Sequence, residues 1–247
     1  MDGNGRWAKK RMNIRLFGHR AGAEAVRRAM DCCRRHGVQY LTLYAFSTEN
    51  WSRPKDEVDG LMNLLRKFLR DNERELIEKE CRFRVMGRKA DLPEDLQAQI
   101  AQVEDATKGF EQQLIVCLSY GGRAEIVDAA RRLADEARSG TLDPAAIDEA
   151  AFAARMYLPD VPDPDLIIRT SGELRLSNFL LWECAYSELF VTDTLWPDFS
   201  EKDFLEAVAS FAKRKRRFGG LDASATKPQI SDSKSQISKS SDTEGAT

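Results

Sequence analysis

The chain has 247 residues, 42% of them hydrophobic, enough for a sizeable core in one large domain or two small ones. Its 38 Lys and Arg nearly balance 40 Asp and Glu, and a net charge of −2 speaks against a general nucleic-acid binder. Five cysteines without a C-x-x-C pair and only two histidines fit a reduced cytosolic protein and argue against zinc.

The first dozen residues are polar and Gly-rich, unlike a signal peptide, and no apolar run nears the roughly 20 residues of a membrane span. Apolar residues at helical spacing predict a helix over 22–36, stopped by Gly37. Residues 38–46 read as a buried strand and 47–54 as a polar loop. A long amphipathic helix carries Val58, Leu61, Met62, Leu65 and Leu69 and reaches about residue 80. Strand, helix and strand follow at 82–86, 93–107 and 112–119. A helix follows Gly121-Gly122, then a short helix at 148–157 and a strand at 165–169. The weakly patterned stretch 178–186 is read as a helix and 189–191 as a short strand, and Ser200 caps a final helix. Strands alternating with helices predict an α/β fold, its central, mainly parallel sheet covered by helices on both faces. Residues 221–247 are rich in Ser, Lys, Asp and Thr and contain no aromatic residue, the composition of a disordered low-complexity tail.

Three segments carry candidate chemistry. In the first, Asp2-Gly3-Asn4-Gly5-Arg6-Trp7, a Gly-rich loop would let backbone N–H groups approach a phosphate, Arg6 would add charge-assisted bonds, and Asp2 could hold Mg²⁺. Arg15 and His19 follow just before the predicted helix, where anions bind; a cap or core role is the default for His19 alone. The second, Ser47-Thr48-Glu49-Asn50-Trp51-Ser52-Arg53, leaves the C-terminal end of a predicted parallel strand, where ligands bind in open α/β sheets. Trp51 there is either a binding residue or a plug over the next helix. The third runs from Arg169 through Arg175, Leu176 and Ser177 to Asn178 and offers arginines and hydroxyls to a diphosphate. Glu188 lies among apolar residues, either a second metal ligand or an end-of-helix carboxylate. The basic run 213–217 reads as a solvated helix end.

With Tyr120-Gly121-Gly122-Arg123, Phe179-Leu180-Leu181-Trp182, Leu195-Trp196-Pro197-Asp198-Phe199 and Arg216-Arg217-Phe218-Gly219-Gly220, these segments resemble the cis-prenyltransferases, and among them the bacterial undecaprenyl diphosphate synthases. The resemblance covers residues 1–220 as one catalytic domain. It implies an enzyme that condenses isopentenyl diphosphate onto an allylic diphosphate such as farnesyl diphosphate, forming cis double bonds with Mg²⁺. By resemblance Asp2 is catalytic and binds the metal together with Glu188, and Asn50 is the second catalytic residue. Gly3, Asn4, Gly5, Arg6, Trp7, Arg15 and His19 surround the allylic diphosphate. Ser47, Thr48, Glu49, Trp51 and Arg53 line the reaction centre, and Arg169, Arg175, Leu176 and Ser177 seat isopentenyl diphosphate. Arg217, Phe218 and Gly219 match a terminal pattern that reaches a partner's site. The resemblance further implies a cytoplasmic homodimer, peripheral membrane contact through its lipid product, and no nucleic-acid partner. Leu174 stands where some relatives have His. The family's hydrophobic strand before Asp2 is absent, so the fold is expected to lack its first strand and the natural start to lie upstream. A non-catalytic partner subunit of a prenyltransferase complex is the competing expectation.

Overall fold

Strand β3 (Gln112–Tyr120) is buried at every position after the first, the pattern of a central parallel strand covered on both faces. The structure, a computed structural model, describes residues 1–214. In it β3 lies between β1 (Tyr40–Ser47) and β2 (Cys81–Met86), and both neighbours run parallel to it. A second parallel pair joins β4 (Leu166–Arg169) to β5 (Glu188–Val191). The predicted α/β class with parallel pairing and helices on both faces is what the chain forms.

Alternation along β3 divides the core. Leu114, Val116 and Leu118 face one hydrophobic cluster; Ile115 and Cys117 face the other. The larger cluster takes its helical side chains from α2 (Arg15–Arg35), α3 (Lys55–Glu78), α4 (Glu94–Thr107) and α7 (Glu201–Lys213). Val26 and Ala29 come from α2, Met62 and Leu69 from α3, and Ile100 from α4. Burying a Val, Leu, Ile or Met side chain contributes about 1.5–3 kcal/mol, and the single methyl of Ala29 less. The opposite cluster holds Tyr120 with Leu180, Tyr44 and Phe179. Helix α5 (Gly122–Arg138) begins directly after β3, and a one-turn helix α6 (Glu149–Ala153) follows it.

Three local expectations change. The Gly-rich loop is itself helical: α1 (Asn4–Lys10) starts directly after Gly3, whose φ of 101° is the left-handed conformation glycine tolerates. Helix α2 begins at Arg15, so Arg15 and His19 lie within its first two turns rather than before it. The extension is held by close packing on α1, where a Cβ on Gly18 would sit 1.9 Å from the Asn4 carbonyl oxygen. Residues 178–186 are a chain of turns instead of a helix, and Ser177, Asn178 and Leu180 take positive φ that a right-handed helix forbids. The tail at 221–247 and the Arg217–Phe218–Gly219 pattern lie outside the described residues.

The two parallel sheets do not join. A cavity of about 1130 Å³ is bordered by consecutive residues 38–47 and 163–170, so it meets the edges of β1 and β4 rather than one pleated face. Among the described residues β1 pairs only with β3, and β4 only with β5. This leaves a slot bordered by the edges of β1 and β4. The cavity continues between α2 and α3, past Val26, Leu61, Leu65 and Phe68.

Candidate active site

The C-terminal ends of β1 and β4 converge on the start of the chain. Asp2 is fastened there by its backbone. Its N–H donates to Thr170 Oγ1 at 2.9 Å, while the Thr170 hydroxyl and the Trp196 N–H reach its carbonyl at 2.9 and 3.0 Å. The turn after β4 therefore holds Asp2 in place. That turn is strained, with φ of 78° at Ser171, as functional turns often are.

The Asp2 carboxylate accepts the Gly3 N–H on Oδ1 at 2.7 Å and Arg169 Nη2 on Oδ2 at 3.0 Å, with Arg6 3.5 Å from Oδ1. Burial alone would raise its pKa. The Arg169 and Gly3 hydrogen bonds, with the charges of Arg169 and Arg6, outweigh burial and hold it below the usual carboxylate range. Arg169 also donates to Ser177 Oγ at 2.9 Å and to the Arg175 carbonyl, and its Nε is buried without a partner among the described residues.

Around this pair the arginines are held by carboxylates. Glu173 bridges Arg6 at 3.1 Å and Arg175 at 2.6 Å; Glu57 bridges Arg15 and Arg53, each at 3.2 Å. Five guanidinium groups thus face three carboxylates, an excess of positive charge suited to an anion. Burial is the largest influence on His19 and lowers its pKa to about 4, the charges of Arg53 and Arg15 adding to it against Glu57. His19 is therefore neutral at pH 7. In the turn after β1, a capping box joins Ser47 to Asn50, whose Oδ1 accepts the Ser47 N–H at 3.2 Å and fixes the amide at the cavity wall.

Asp2, Gly3, Asn4, Gly5, Arg6, Arg15, His19, Ser47, Asn50, Arg53, Arg169, Arg175 and Leu176 all line the one cavity. Others stand back from it. Trp7 donates to Asp198 at 2.7 Å and stacks on Phe17. Trp51 donates to Ser119 Oγ at 2.9 Å and packs edge-on against Phe46, so its ring is the plug over the core. Exposed Glu49 is held by Asn178 at 2.8 Å, Thr48 lies against Gly121, and Ser177 supports Arg169. Glu188 does not join Asp2 within one chain. It pairs with Leu166 at the start of β4, three residues or about 10 Å from the Arg169 end, and its carboxylate binds Arg214 at 2.5 Å. Leu174 is 78% exposed.

Sequence reading missed Glu57 and Glu173; Arg53 precedes α3 in extended backbone and reaches Glu57 in its first turn, a contact no helical spacing announces. Thr170 and Ser171 gave no signal beyond their place in the third segment. Among the described residues no group of three or more His, Cys, Asp or Glu could hold a metal. Glu173 and Glu57 are each taken up by two arginines, which leaves Asp2 as the carboxylate that could offer an oxygen to Mg²⁺, the other ligands coming from phosphate oxygens.

The chain matches the family model described as "Putative undecaprenyl diphosphate synthase" over residues 1–219. An isoprenyl transferase of Thermotoga maritima is 51% identical over 223 residues, 90% of this chain and 94% of the relative. The ditrans,polycis-undecaprenyl-diphosphate synthase of Xanthomonas axonopodis pv. citri, named as specific for (2E,6E)-farnesyl diphosphate, is 45% identical over 239 residues, 96% of this chain and 91% of the relative. Among solved structures, lavandulyl diphosphate synthase from Lavandula x intermedia in complex with dimethylallyl diphosphate superposes with a TM-score of 0.86 at 38% identity, covering 89% of this chain and 95% of that one.

Proposed function

The chain belongs to the undecaprenyl diphosphate synthase family of cis-prenyltransferases, and on that premise we propose how its residues divide the work. The family activity is cis-prenyl chain elongation, the condensation of isopentenyl diphosphate onto an allylic diphosphate. Farnesyl diphosphate as starter and undecaprenyl diphosphate as product are our reading from the Xanthomonas relative's name. A non-catalytic partner subunit finds no support among relatives named as transferases and synthases.

The observation that carries the division is Arg169, whose guanidinium meets Asp2 on one side and Ser177 and the Arg175 carbonyl on the other. Arg169 and Arg175, with Ser177 and the Leu176 backbone, seat the isopentenyl diphosphate. Arg6 and Arg15, beside Gly3 and Gly5, hold the allylic diphosphate, with neutral His19 behind them. Breaking the allylic C–O bond builds negative charge on the departing diphosphate. Guanidinium groups already in place stabilise that charge more in the transition state than in the ground state. Mg²⁺, held by Asp2 and diphosphate oxygens, would supply further charge neutralisation there. Asn50, fixed by Ser47, orients the incoming group rather than acting as base, because a neutral amide takes up protons poorly. The apolar arm between α2 and α3 receives the growing hydrocarbon, away from water.

Asp2→Ala is expected to lower turnover by about 10²-fold or more at saturating Mg²⁺ with farnesyl and isopentenyl diphosphates. Near-parental turnover would remove Asp2 from the reaction. The same reading makes the protein a homodimer, for which a monomer in light scattering at micromolar concentration is the contrary result.

A further inference from the structure

From Gly3 to Ala23 the chain contains no acidic residue, while Arg6, Lys9, Lys10, Arg11, Arg15 and Arg20 supply six cations. The turn between α1 and α2 lies in this stretch. Its apolar side chains point into solvent: Met12 is 98% exposed, Ile14 70% and Phe17 41%. Phe17 stacks on Trp7 at 5.7 Å between ring centres, and Arg11 lies over the same indole at 3.8 Å. Arg11 is shared with Asp198 and Arg15 with Glu57, but Lys9, Lys10 and Arg20 make no ion pair among the described residues. A net charge of −2 gives the protein no general attraction to anionic surfaces, so this basic cluster is local.

We propose that the α1–α2 turn docks the protein on an anionic lipid bilayer, with Met12, Ile14 and Phe17 entering the interface and Lys9 and Lys10 on the headgroups. Apolar residues at a protruding tip with cations beside them are what a headgroup boundary accepts. So few apolar side chains fall well short of the area of a stable protein interface, roughly 800 Å² on each partner. The turn runs straight into Arg15 at the cavity mouth, so docking brings that mouth to the membrane. A polyprenyl chain could then leave the cavity for the bilayer without crossing water. That consequence, unlike the docking surface, rests on the cis-prenyltransferase reading.

The test is sedimentation with vesicles of phosphatidylcholine alone and of phosphatidylcholine with roughly one-third phosphatidylglycerol. Two variants separate apolar from charged contributions. Met12→Asn/Ile14→Ser keeps the fold: Met12 has φ of 50°, which Asn tolerates, and Ile14 is the uncapped N-cap of α2, where Ser is preferred. Lys9→Ala/Lys10→Ala removes two exposed charges. The parent is expected to bind the anionic vesicles more tightly, and less so at high salt. The apolar variant should lose about tenfold in affinity. The charge variant should lose roughly 25-fold, at about fivefold per cation. Equal binding to both vesicles, or variants that bind like the parent, overturns the proposal. Absence of vesicle binding, with self-association in light scattering that Met12→Asn/Ile14→Ser abolishes, would assign the patch to a second copy. Turnover of a short allylic diphosphate should be unchanged in both variants. Vesicle binding by a protein without prenyltransferase activity would sink the functional reading and leave the docking surface standing.

Discussion

Glu183→Gln is expected to change how stability depends on pH. Both carboxylate oxygens of Glu183 are buried without a hydrogen-bond partner among the described residues. The nearby Glu125, itself fully buried, uses its carboxylate on the Tyr120 hydroxyl at 2.6 Å and the Tyr157 N–H at 2.9 Å. Burial first, and then the charge of Glu125, push the Glu183 pKa from 4.5 up to about 8; burial raises Glu125 as well. Two carboxyls so placed cannot both ionise, and Glu183 keeps its proton at neutral pH. In the unfolded chain it loses that proton near pH 4.5. The unfolded state therefore gains relative to the folded one as pH rises from about 4.5 to 8, and stability falls across that window. At 1.36 kcal/mol per pH unit the loss by pH 7 is on the order of 2–3 kcal/mol. Glutamine cannot ionise, and its amide can donate to Glu125. The variant should match the parent near pH 4.5 and exceed it by about 2–3 kcal/mol at pH 7. Urea denaturation midpoints at the two pH values measure this. Parallel pH dependence of the two proteins, or a variant weaker than the parent at pH 7, would refute the reasoning.

The other expectations concern the site and the slot. Arg175→Ala should raise KM for isopentenyl diphosphate about 10- to 100-fold, the loss of one charge-assisted bond of roughly 1.5–3 kcal/mol, with kcat little changed. Arg169→Ala should do the same and lower kcat too, because Arg169 also holds Asp2; initial-rate kinetics showing a defect confined to the allylic substrate would reverse the two subsites. An apolar strand of about six residues placed ahead of Met1 should enter the slot between β1 and β4 and stabilise the fold by several kcal/mol, raising Tm by about 2–4 °C for each. An unchanged melting temperature would show that the slot does not accept a strand.

What the sequence determined by itself was local or short-ranged. The continuous apolar run of β3, the helical spacing in α3 and the Ser200 cap with Asp203 reveal their elements because periodicity and capping need only neighbouring residues. The three functional segments were likewise legible, since rare residue combinations are preserved in order along the chain. Tertiary structure decided how those pieces meet. Asp2 and Arg169 are 167 residues apart in sequence, and only the turn after β4 brings them within 3.0 Å. The same folding sets Glu188 at the far end of β5 and turns Trp7 and Trp51 away from the cavity, which no spacing could reveal. The Gly-rich segment becomes helical because packing of Asn4 on Gly18 outweighs the low helix propensity of Gly5. Edge pairing is also non-local: the slot between β1 and β4 depends on which strands find partners, and that is settled when the two parallel sheets are assembled.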